Sequence, residues 1–269
     1  MSDLRDRYAA LKPQLDETGV LRLTLDAPGR RNALDGTTHE LMSRIWVDAD
    51  AEPGVRSVLV TGANGAFSAG GDLSWVRGFT DDWNARVQGL KEARALIFNM
   101  LDCSKPIVSA INGPAVGAGL AIALLADLSI AGHGARLLDG HVGLGVTAGD
   151  HAALLWPLLC GMARAKHRLL LGEPVTGVEA AEIGLVSLSV SDDEVLPTAA
   201  DIARRLARGS TTAIGWTKRS LNHWFRLAAP SAEAALALEF LGFTGPDARE
   251  GLTAIQERRR PVFGKEGSA

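Results

Sequence analysis

The chain is poor in the residues that stabilise small secreted domains or span membranes. It has two cysteines among 269 residues, Cys103 and Cys160, and their apolar surroundings predict buried free thiols. No apolar run reaches the roughly 18 residues that a membrane span needs. The N-terminus has mixed charges and no apolar core of the kind that signal peptides carry. We therefore expect a soluble, cytoplasmic protein that makes no membrane contact.

Patterns for nucleic acids, metals and nucleotides are also missing. The formal net charge of −3 argues against general nucleic-acid binding. No Cys/His spacing typical of zinc occurs, and neither GxGxxG nor GxxxxGK[ST] is present. A hydrophobic content of 46% with 22% charged residues excludes a disordered chain. We expect a globular protein with no metal ion and no separate cofactor.

The apolar patterns that are present predict an α/β architecture. Segment 35–52 has helical spacing and opens with Asp35, which suits an N-cap. Strand-like runs lie at 21–25, 55–62, 105–113, 126–132 and 136–138. From Asp150 onward the patterns favour helices, apart from a strand at 185–190. We predict a core over 1–200 and a helical oligomerisation region over 201–269.

Two loops rich in Gly and Ala each join a predicted strand to a predicted helix. They read FSAGGDL (67–73) and INGPAVGAGL (111–120). Such loops leave backbone N–H groups uncovered, and the first N–H groups of a helix lack internal partners. Either loop alone is more often a tight turn than a site. Together they could aim one N–H each at a single carbonyl oxygen, which predicts an oxyanion hole.

Five ordered motifs resemble those of the crotonase (enoyl-CoA hydratase/isomerase) family. Besides FSAGGDL and INGPAVGAGLAIALLADLSIAG, they are APGRRNALD, GEPVTGVEAAEIGLVSLSV and DAREGLTAIQERRRPVF. The resemblance covers nearly the whole chain. It implies a spiral of β-β-α units with a C-terminal helical region, assembled as a trimer or as a hexamer made of two trimers. It also implies an acyl-CoA thioester as the substrate.

The resemblance also assigns residues. It places Gly71 and Ala118 in the oxyanion hole, and it implies that Asp72 stabilises the loop to which it belongs. Arg258–Arg260 would lie near the C-terminal helix, although a solvated basic face explains that triplet equally well. The substrate-binding positions that the resemblance implies are Arg31, Ala33, Ala69, Asp72, Gly117 and Glu239.

The chain departs from the family pattern where hydratases carry two glutamates. Ala121 and His141 occupy those positions, so standard hydration should be weak. Asp139, His141, Asp150 and His151 are the proton-active residues nearby. We predict His141 as the catalytic acid or base and Asp150 as the carboxylate that orients it. The alternatives are a structural histidine at 141 and an N-cap at Asp150, and His151 is expected on a helix surface.

Three interpretations follow. The first is an enzyme that processes an acyl-CoA through an enolate held by Gly71 and Ala118. The second is a C–C bond hydrolase, because His141 and Asp150 are similar to residues of 6-oxocamphor hydrolase, a family member that splits a cyclic β-diketone. Glu239 would be the counterpart of its carboxylate, but Ala118 stands where that protein has a histidine. The third is an inactive acyl-CoA-binding member of the family.

Aromatic side chains add a further set of candidates. Trp75, Trp83 and Trp156 could line an acyl pocket, although core packing is the commoner fate of tryptophan.

Overall fold

A six-stranded sheet lies at the centre of the fold in the computed structural model, which describes residues 2–264. Its order is β1-β2-β3-β4-β6-β9, and a smaller sheet has the order β5-β7-β8. The strands are β1 (Gln14–Leu15), β2 (Val20–Leu25), β3 (Ser57–Gly62), β4 (Ile107–Ile111), β5 (Ala115–Val116), β6 (Leu128–Gly132), β7 (Arg136–Leu138), β8 (Val175–Thr176) and β9 (Leu188–Val190). In the large sheet only β1 pairs antiparallel.

Helices alternate with the strands and then fill the C-terminal part of the chain. Two 3₁₀ turns lie at Ala9–Leu11 and Asp192–Glu194. The α-helices are α1 (Ser2–Arg7), α2 (Gly36–Ala51), α3 (Leu73–Asp81), α4 (Trp83–Asp102), α5 (Ala118–Leu125), α6 (His141–Leu144), α7 (Ala152–Cys160), α8 (Met162–Leu171), α9 (Gly177–Glu182), α10 (Val195–Arg208), α11 (Thr211–Leu227), α12 (Ala229–Gly242) and α13 (Pro246–Gln256).

The large sheet is covered on both faces, which explains its unbroken apolar strands. Every residue of β3 and β4 is buried. On one face, Ala199, Ala203 and Ala207 of α10 pack with Leu59 and with Val108 of the sheet. The other face contributes to the main core, under α2, α4 and α5. Parallel strands require helical crossovers that bury both faces, so hydrophobic runs replace an alternating pattern.

The α/β architecture predicted from the sequence is confirmed, and the longer strands lie where they were expected. Strands β1, β5 and β8 have two residues each, which is too short for any period to predict. The helical run after Asp150 is interrupted at Gly161, whose φ is 83°. The division predicted at 200/201 falls inside α10, and it stays a prediction.

Two predictions about the chain as a whole can be compared with the fold. Cys103 and Cys160 are buried free thiols, as predicted. Over residues 2–264, none of the helices is both long enough and apolar enough to cross a bilayer. The cytoplasmic location stays a prediction.

Candidate active site

Backbone pairing holds the two glycine-rich loops side by side. Ser68 and Ala115 form a parallel bridge, and the Val116 N–H donates to the Ser68 carbonyl at 3.0 Å. Gly70 permits this approach because its φ is 88° and a Cβ there would lie 2.8 Å from the Val116 oxygen. The first loop is also tied to Leu34, whose N–H donates to the Gly70 carbonyl at 2.7 Å. Both predicted oxyanion residues are therefore fixed by the same hydrogen-bonded framework.

The N–H groups of Gly71 and Ala118 are free to bind a ligand. Within residues 2–264 neither of them donates a hydrogen bond. Ala118 is the first residue of α5, where intrahelical acceptors do not exist, and the first bond of that helix comes from the Ala121 N–H to the Gly117 carbonyl. Both residues line a single cavity of about 680 Å³. Two unpaired donors beside one cavity are what an oxyanion hole requires.

Parallel pairing of β5 with β7 brings the proton-active residues to the same cavity. Val116 is opposite Leu138 in this pair, and the Gly117 N–H donates to the Leu138 carbonyl at 3.0 Å. Residues that directly follow two paired parallel strands must meet, so Ala118 lies near the Asp139–His141 segment. Gly145, at φ 85°, closes the short helix α6 where a Cβ would lie 2.5 Å from the Asp247 carbonyl. Helix α13 thereby supports the position of His141.

Asp139 orients the imidazole of His141. Its Oδ1 lies 3.0 Å from Nδ1 of His141, and its Oδ2 accepts from the His141 backbone N–H at 3.2 Å. Nε2 of His141 lies 3.9 Å from Oδ2 of Asp150 and 3.6 Å from Oε1 of Glu239. The orienting hydrogen bond therefore comes from Asp139, where we had expected it from Asp150. Nε2 is left for a substrate atom or a water molecule between the two other carboxyl groups.

His151 contradicts the prediction of a helix-surface residue. Its side chain is fully buried, and its Nδ1 lies 2.5 Å from Oδ1 of Asp150. Trp156 Nε1, which can only donate, lies 3.4 Å from Nε2 of His151, so the imidazole carries its proton on Nδ1 and donates it to Asp150. Asp150 does not cap α7, because the N-cap position belongs to His151. His151 thus binds Oδ1 of Asp150, and Trp156 in turn contacts the imidazole of His151.

Glu239 of α12 completes the cluster and is poorly satisfied. The residue is buried, and its Oε2 has no hydrogen-bond partner among residues 2–264. Burial raises the pKa of Glu239 to about 8, and the nearby carboxylates of Asp150 and Asp139 act in the same direction, while His141 opposes them. The raised pKa favours the protonated form of the Glu239 carboxyl at neutral pH.

His141 and Asp150 are shifted toward their charged forms. Burial opposes protonation of the imidazole, but the charges of Asp139 and Asp150, and that of Glu239 when it is ionised, raise the pKa of His141 well above its usual value. Burial also opposes ionisation of Asp150, yet the neighbouring imidazoles of His151 and His141 lower its pKa below its usual range. These pKa shifts favour an imidazolium at His141 beside a carboxylate at Asp150, and they favour the neutral form of the Glu239 carboxyl.

Two sets of these side chains have the spacing of cation ligands. The atoms of Asp139, Asp150 and His151, and those of His141, Asp150 and Glu239, lie within 4.8 Å of one another in each set. A cation in the first set would displace the hydrogen bond between His151 and Asp150. That the site needs no metal stays a prediction.

The cavity collects nearly all of the residues predicted from the sequence. Arg31 is the exception, since it lies outside the lining with a left-handed backbone, and its carbonyl accepts from the Ala69 N–H at 2.9 Å. Nine of the ten predicted residues line the cavity: Ala33, Ala69, Gly71, Asp72, Gly117, Ala118, His141, Asp150 and Glu239.

Asp72 and Arg30 stand together in the lining. Asp72 caps α3 by accepting from the Ser74 N–H at 3.0 Å, and it also accepts from the Ser74 hydroxyl. The two hydrogen bonds lower the pKa of Asp72. Its Oδ2 also accepts from Arg30 at 3.2 Å, and Arg30 lies 3.6 Å from Asp35. The basic side chain at this part of the cavity is therefore already paired with two acids. Arg259 of the C-terminal triplet pairs with Glu250 and Glu257 and lies outside the lining.

Several lining residues were missed at the sequence level. Phe79, Phe240 and Phe243 contact one another at centroid distances of 5.3–5.8 Å and form an aromatic wall. Of the three tryptophan candidates only Trp75 lines the cavity, while Trp83 is exposed and Trp156 is buried behind His151. His39 was also missed, although its spacing from Met42 and Trp46 places it on the buried face of α2.

Comparisons with known proteins agree with this geometry. The family model described as enoyl-CoA hydratase/isomerase matches residues 16–266. The chain is 31% identical to the 1,2-epoxyphenylacetyl-CoA isomerase of Escherichia coli K12 over 254 residues, which cover 92% of this chain and 95% of that protein.

Two solved structures show that the similarity extends to the fold. An enoyl-CoA hydratase/isomerase from Mycobacterium paratuberculosis superposes with a TM-score of 0.85 at 31% identity, covering 90% of this chain and 96% of the other. A β-diketone hydrolase from Anabaena sp. PCC 7120, bound to (S)-3-oxocyclohexyl acetic acid, superposes with a TM-score of 0.81 at 26% identity, covering 90% and 97%. The paired loops, the cavity and these matches together show that the chain belongs to the enoyl-CoA hydratase/isomerase family, the crotonases.

Proposed function

We propose that this crotonase acts on an acyl-CoA thioester through an enolate, with His141 as the group that moves the proton. The observation that carries the proposal is the pair of unpaired N–H groups, on Gly71 and Ala118, beside the same cavity as Nε2 of His141. The hole stabilises the negative charge that develops on the thioester oxygen. The enolate forms when a bond to the α-carbon breaks and its electron pair moves into the thioester carbonyl. The His141 imidazolium then donates its proton to the α-carbon and becomes neutral, while Asp139 holds the ring in place.

Hydration by two glutamates is not part of this proposal. Ala121 lies in α5, is 1% exposed and does not line the cavity, so it offers no proton at that position. Isomerisation, decarboxylation and hydrolysis of a thioester each form an enolate or an oxyanion. Each of them can therefore use the hole and a single acid–base group.

The test is to mix the purified protein with crotonyl-CoA and a longer enoyl-CoA and to follow the absorbance of the conjugated thioester. We expect slow decay of this absorbance together with a rise in melting temperature, because any ligand of the native state stabilises it. Wild-type protein whose melting temperature is unchanged by every thioester would contradict the acyl-CoA assignment.

A second candidate function is hydrolysis of a C–C bond in a β-diketone. The observation in its favour is the convergence of Asp150 and Glu239 on Nε2 of His141, together with the likeness to the Anabaena β-diketone hydrolase. Water would attack one carbonyl, the C–C bond would break, and the enolate of the other carbonyl would take up the proton. His141 must first lose its own proton to activate water.

The pH–rate profile separates the two candidates. The raised pKa of His141 means that base-catalysed cleavage of cyclohexane-1,3-dione should increase as the pH rises through that pKa. A reaction that starts with proton donation should decrease over the same range.

The assembly also stays a proposal. We propose a homotrimer or a hexamer, supported by large apolar side chains that α11 and α12 leave exposed in the single chain, including Trp216, Trp224, Leu227 and Leu241. Sedimentation analysis of the purified protein tests it, and a monomer at micromolar concentration would exclude it.

A further inference from the structure

A buried histidine–glutamate pair lies in the cavity wall apart from the His141 cluster. His39 of α2 is 3% exposed, and its Nδ1 lies 2.9 Å from Oε2 of Glu92 in α4. The other carboxylate oxygen of Glu92 accepts from Gln88 Nε2 at 2.8 Å. Both oxygens of Glu92 are therefore occupied, and the proton of the shared hydrogen bond belongs to Nδ1 of His39.

The second ring nitrogen of His39 faces open space. Nε2 has no hydrogen-bond partner within residues 2–264, yet it is not one of the fully buried atoms that lack a partner, which in that range are Trp46 Nε1 and Glu239 Oε2. His39 is 3% exposed and lines the 680 Å³ cavity, so we infer that the accessible side of Nε2 is toward that cavity.

Trp75 lies between His39 and the predicted oxyanion hole. The rings of His39 and Trp75 lie 4.7 Å apart, and a Cβ on Gly71 would lie 3.5 Å from Cζ3 of Trp75. One indole ring thus separates the histidine from the residue that holds the reacting oxygen. A ligand whose carbonyl sits at Gly71 can extend along Trp75 and reach Nε2 of His39.

Beyond Trp75 the cavity continues into apolar side chains. Phe79 contacts Trp75 at a centroid distance of 4.9 Å, and Phe240 and Phe243 pack on Phe79 in the same lining. A purely hydrocarbon ligand that fills this space would cover Nε2 and leave it without a partner, which is unfavourable in a dry site. Sites that present a buried polar atom reject analogues that lack the matching group.

The geometry points to His39 as a specificity residue that recognises a second, uncharged oxygen function on the substrate. This inference rests on the proposed function, and it narrows the substrate to acyl groups that carry a hydroxyl or keto oxygen beyond the thioester carbonyl. A carboxylate fits less well, because the negative charge of Glu92 lies directly behind the imidazole. Nε2 accepts from a hydroxyl when the ring is neutral and donates to a keto oxygen when it is protonated.

The test compares ligands that differ by one oxygen. Dissociation constants are measured by calorimetry for hexanoyl-CoA, for its 3-, 4-, 5- and 6-hydroxy derivatives, and for adipyl-CoA as the carboxylate. For the wild type we expect one hydroxy isomer to bind roughly tenfold to a hundredfold more tightly than hexanoyl-CoA, and adipyl-CoA to show no such gain.

Two variants remove Nε2 in different ways. His39→Asn keeps a side-chain N–H that can donate to Glu92, and it removes the nitrogen that faces the cavity. The double variant His39→Phe/Glu92→Met keeps a ring against Trp75 and removes both polar partners. In each variant the preference for the hydroxy isomer should fall to within about threefold of unity. Glu92→Gln is the matched control, because its side-chain carbonyl still accepts from Nδ1, and the preference should persist.

The results separate this inference from the function on which it rests. A wild type without preference for any hydroxy isomer, or a preference that survives in both variants, overturns the role of His39. If hexanoyl-CoA itself does not bind, the acyl-CoA assignment fails instead. The same variants are then compared on 2,2-dimethylcyclohexane-1,3-dione, which cannot ionise between its carbonyls, and on 2,2-dimethylcyclohexanone. Loss of a preference for the dione supports His39, and the absence of any preference in the wild type refutes it.

Discussion

The two halves of the active site are built in different ways. The oxyanion half consists of backbone N–H groups from two loops, and its geometry depends on Gly70, on Gly71 and on the first residue of α5. The imidazole half consists of side chains: Asp139 lies two residues before His141, whereas Asp150 and Glu239 approach the imidazole from further along the chain. The first half follows the crotonase pattern, and the second departs from it.

This difference indicates where the family can change its chemistry. Backbone donors do not depend on a particular side chain, whereas proton-transfer groups are side chains that single substitutions can exchange. On the proposed assignment, Ala121 and His141 occupy the positions at which hydratases of the family carry glutamates. We infer that the hole sets the class of intermediate, and that the side-chain cluster sets the reaction.

The largest expected effect comes from the imidazole half. His141→Ala should lower kcat by roughly 10²–10⁴-fold, because it removes the acid–base group, while thioester affinity stays within a few-fold of the wild type. Steady-state kinetics and calorimetry measure the two quantities. Unchanged turnover would remove His141 from the mechanism.

The matching change in the oxyanion half is Ala118→Pro. Proline is well tolerated at the first position of a helix and removes only the N–H, so kcat should fall by about 10²-fold, which corresponds to the loss of one oxyanion donor. Ala118→Ser keeps the N–H and serves as the control. Equal activity of the two variants would show that this donor does not act in the reaction.

A smaller effect is expected from removing the hydrogen bond between His151 and Asp150. His151→Phe removes the hydrogen bond to Oδ1 of Asp150, so the pKa of Asp150 should rise. The acidic limb of the pH–rate profile should then move to higher pH, and kcat should fall by about tenfold. His151→Asn keeps a donor at the same place and should restore most of the profile. Identical profiles for the wild type and the Phe variant would show that His151 only fills space.

The smallest expected effect concerns stability and its dependence on pH. The pKa of Glu239 is raised in the folded state to about 8, so the native protein binds more protons than the unfolded chain between the ordinary carboxyl pKa and pH 8. Its contribution to stability is therefore fully present at low pH and is lost as the pH rises through 8.

Glu239→Gln should remove this dependence. Relative to the wild type, the variant should gain free energy of unfolding between pH 5 and pH 9, because only the wild type has to release the Glu239 proton over that range. Urea unfolding at the two pH values measures the gain. A difference between the two proteins that is the same at both pH values would contradict the raised pKa.

The sequence by itself determined the features that local patterns carry. The strands β2, β3, β4 and β6 follow from apolar runs, and the two glycine-rich loops predict uncovered N–H groups. Gly71, Ala118 and His141 could be assigned from their places in the motifs. These features depend on residues close together in the chain, so the sequence alone is enough to predict them.

Only the tertiary structure decided which side chains meet. It placed Asp139, instead of Asp150, in hydrogen-bond contact with Nδ1 of His141, and it buried His151, which the sequence had suggested for a surface. It also placed Glu92 behind His39, although the two are 53 residues apart in the chain. Hydrophobic periodicity tells which face of a helix is buried, but not which element will cover that face. Partners from distant segments, such as Glu239 for His141 and Glu92 for His39, are therefore set by packing, and with them the raised pKa of Glu239.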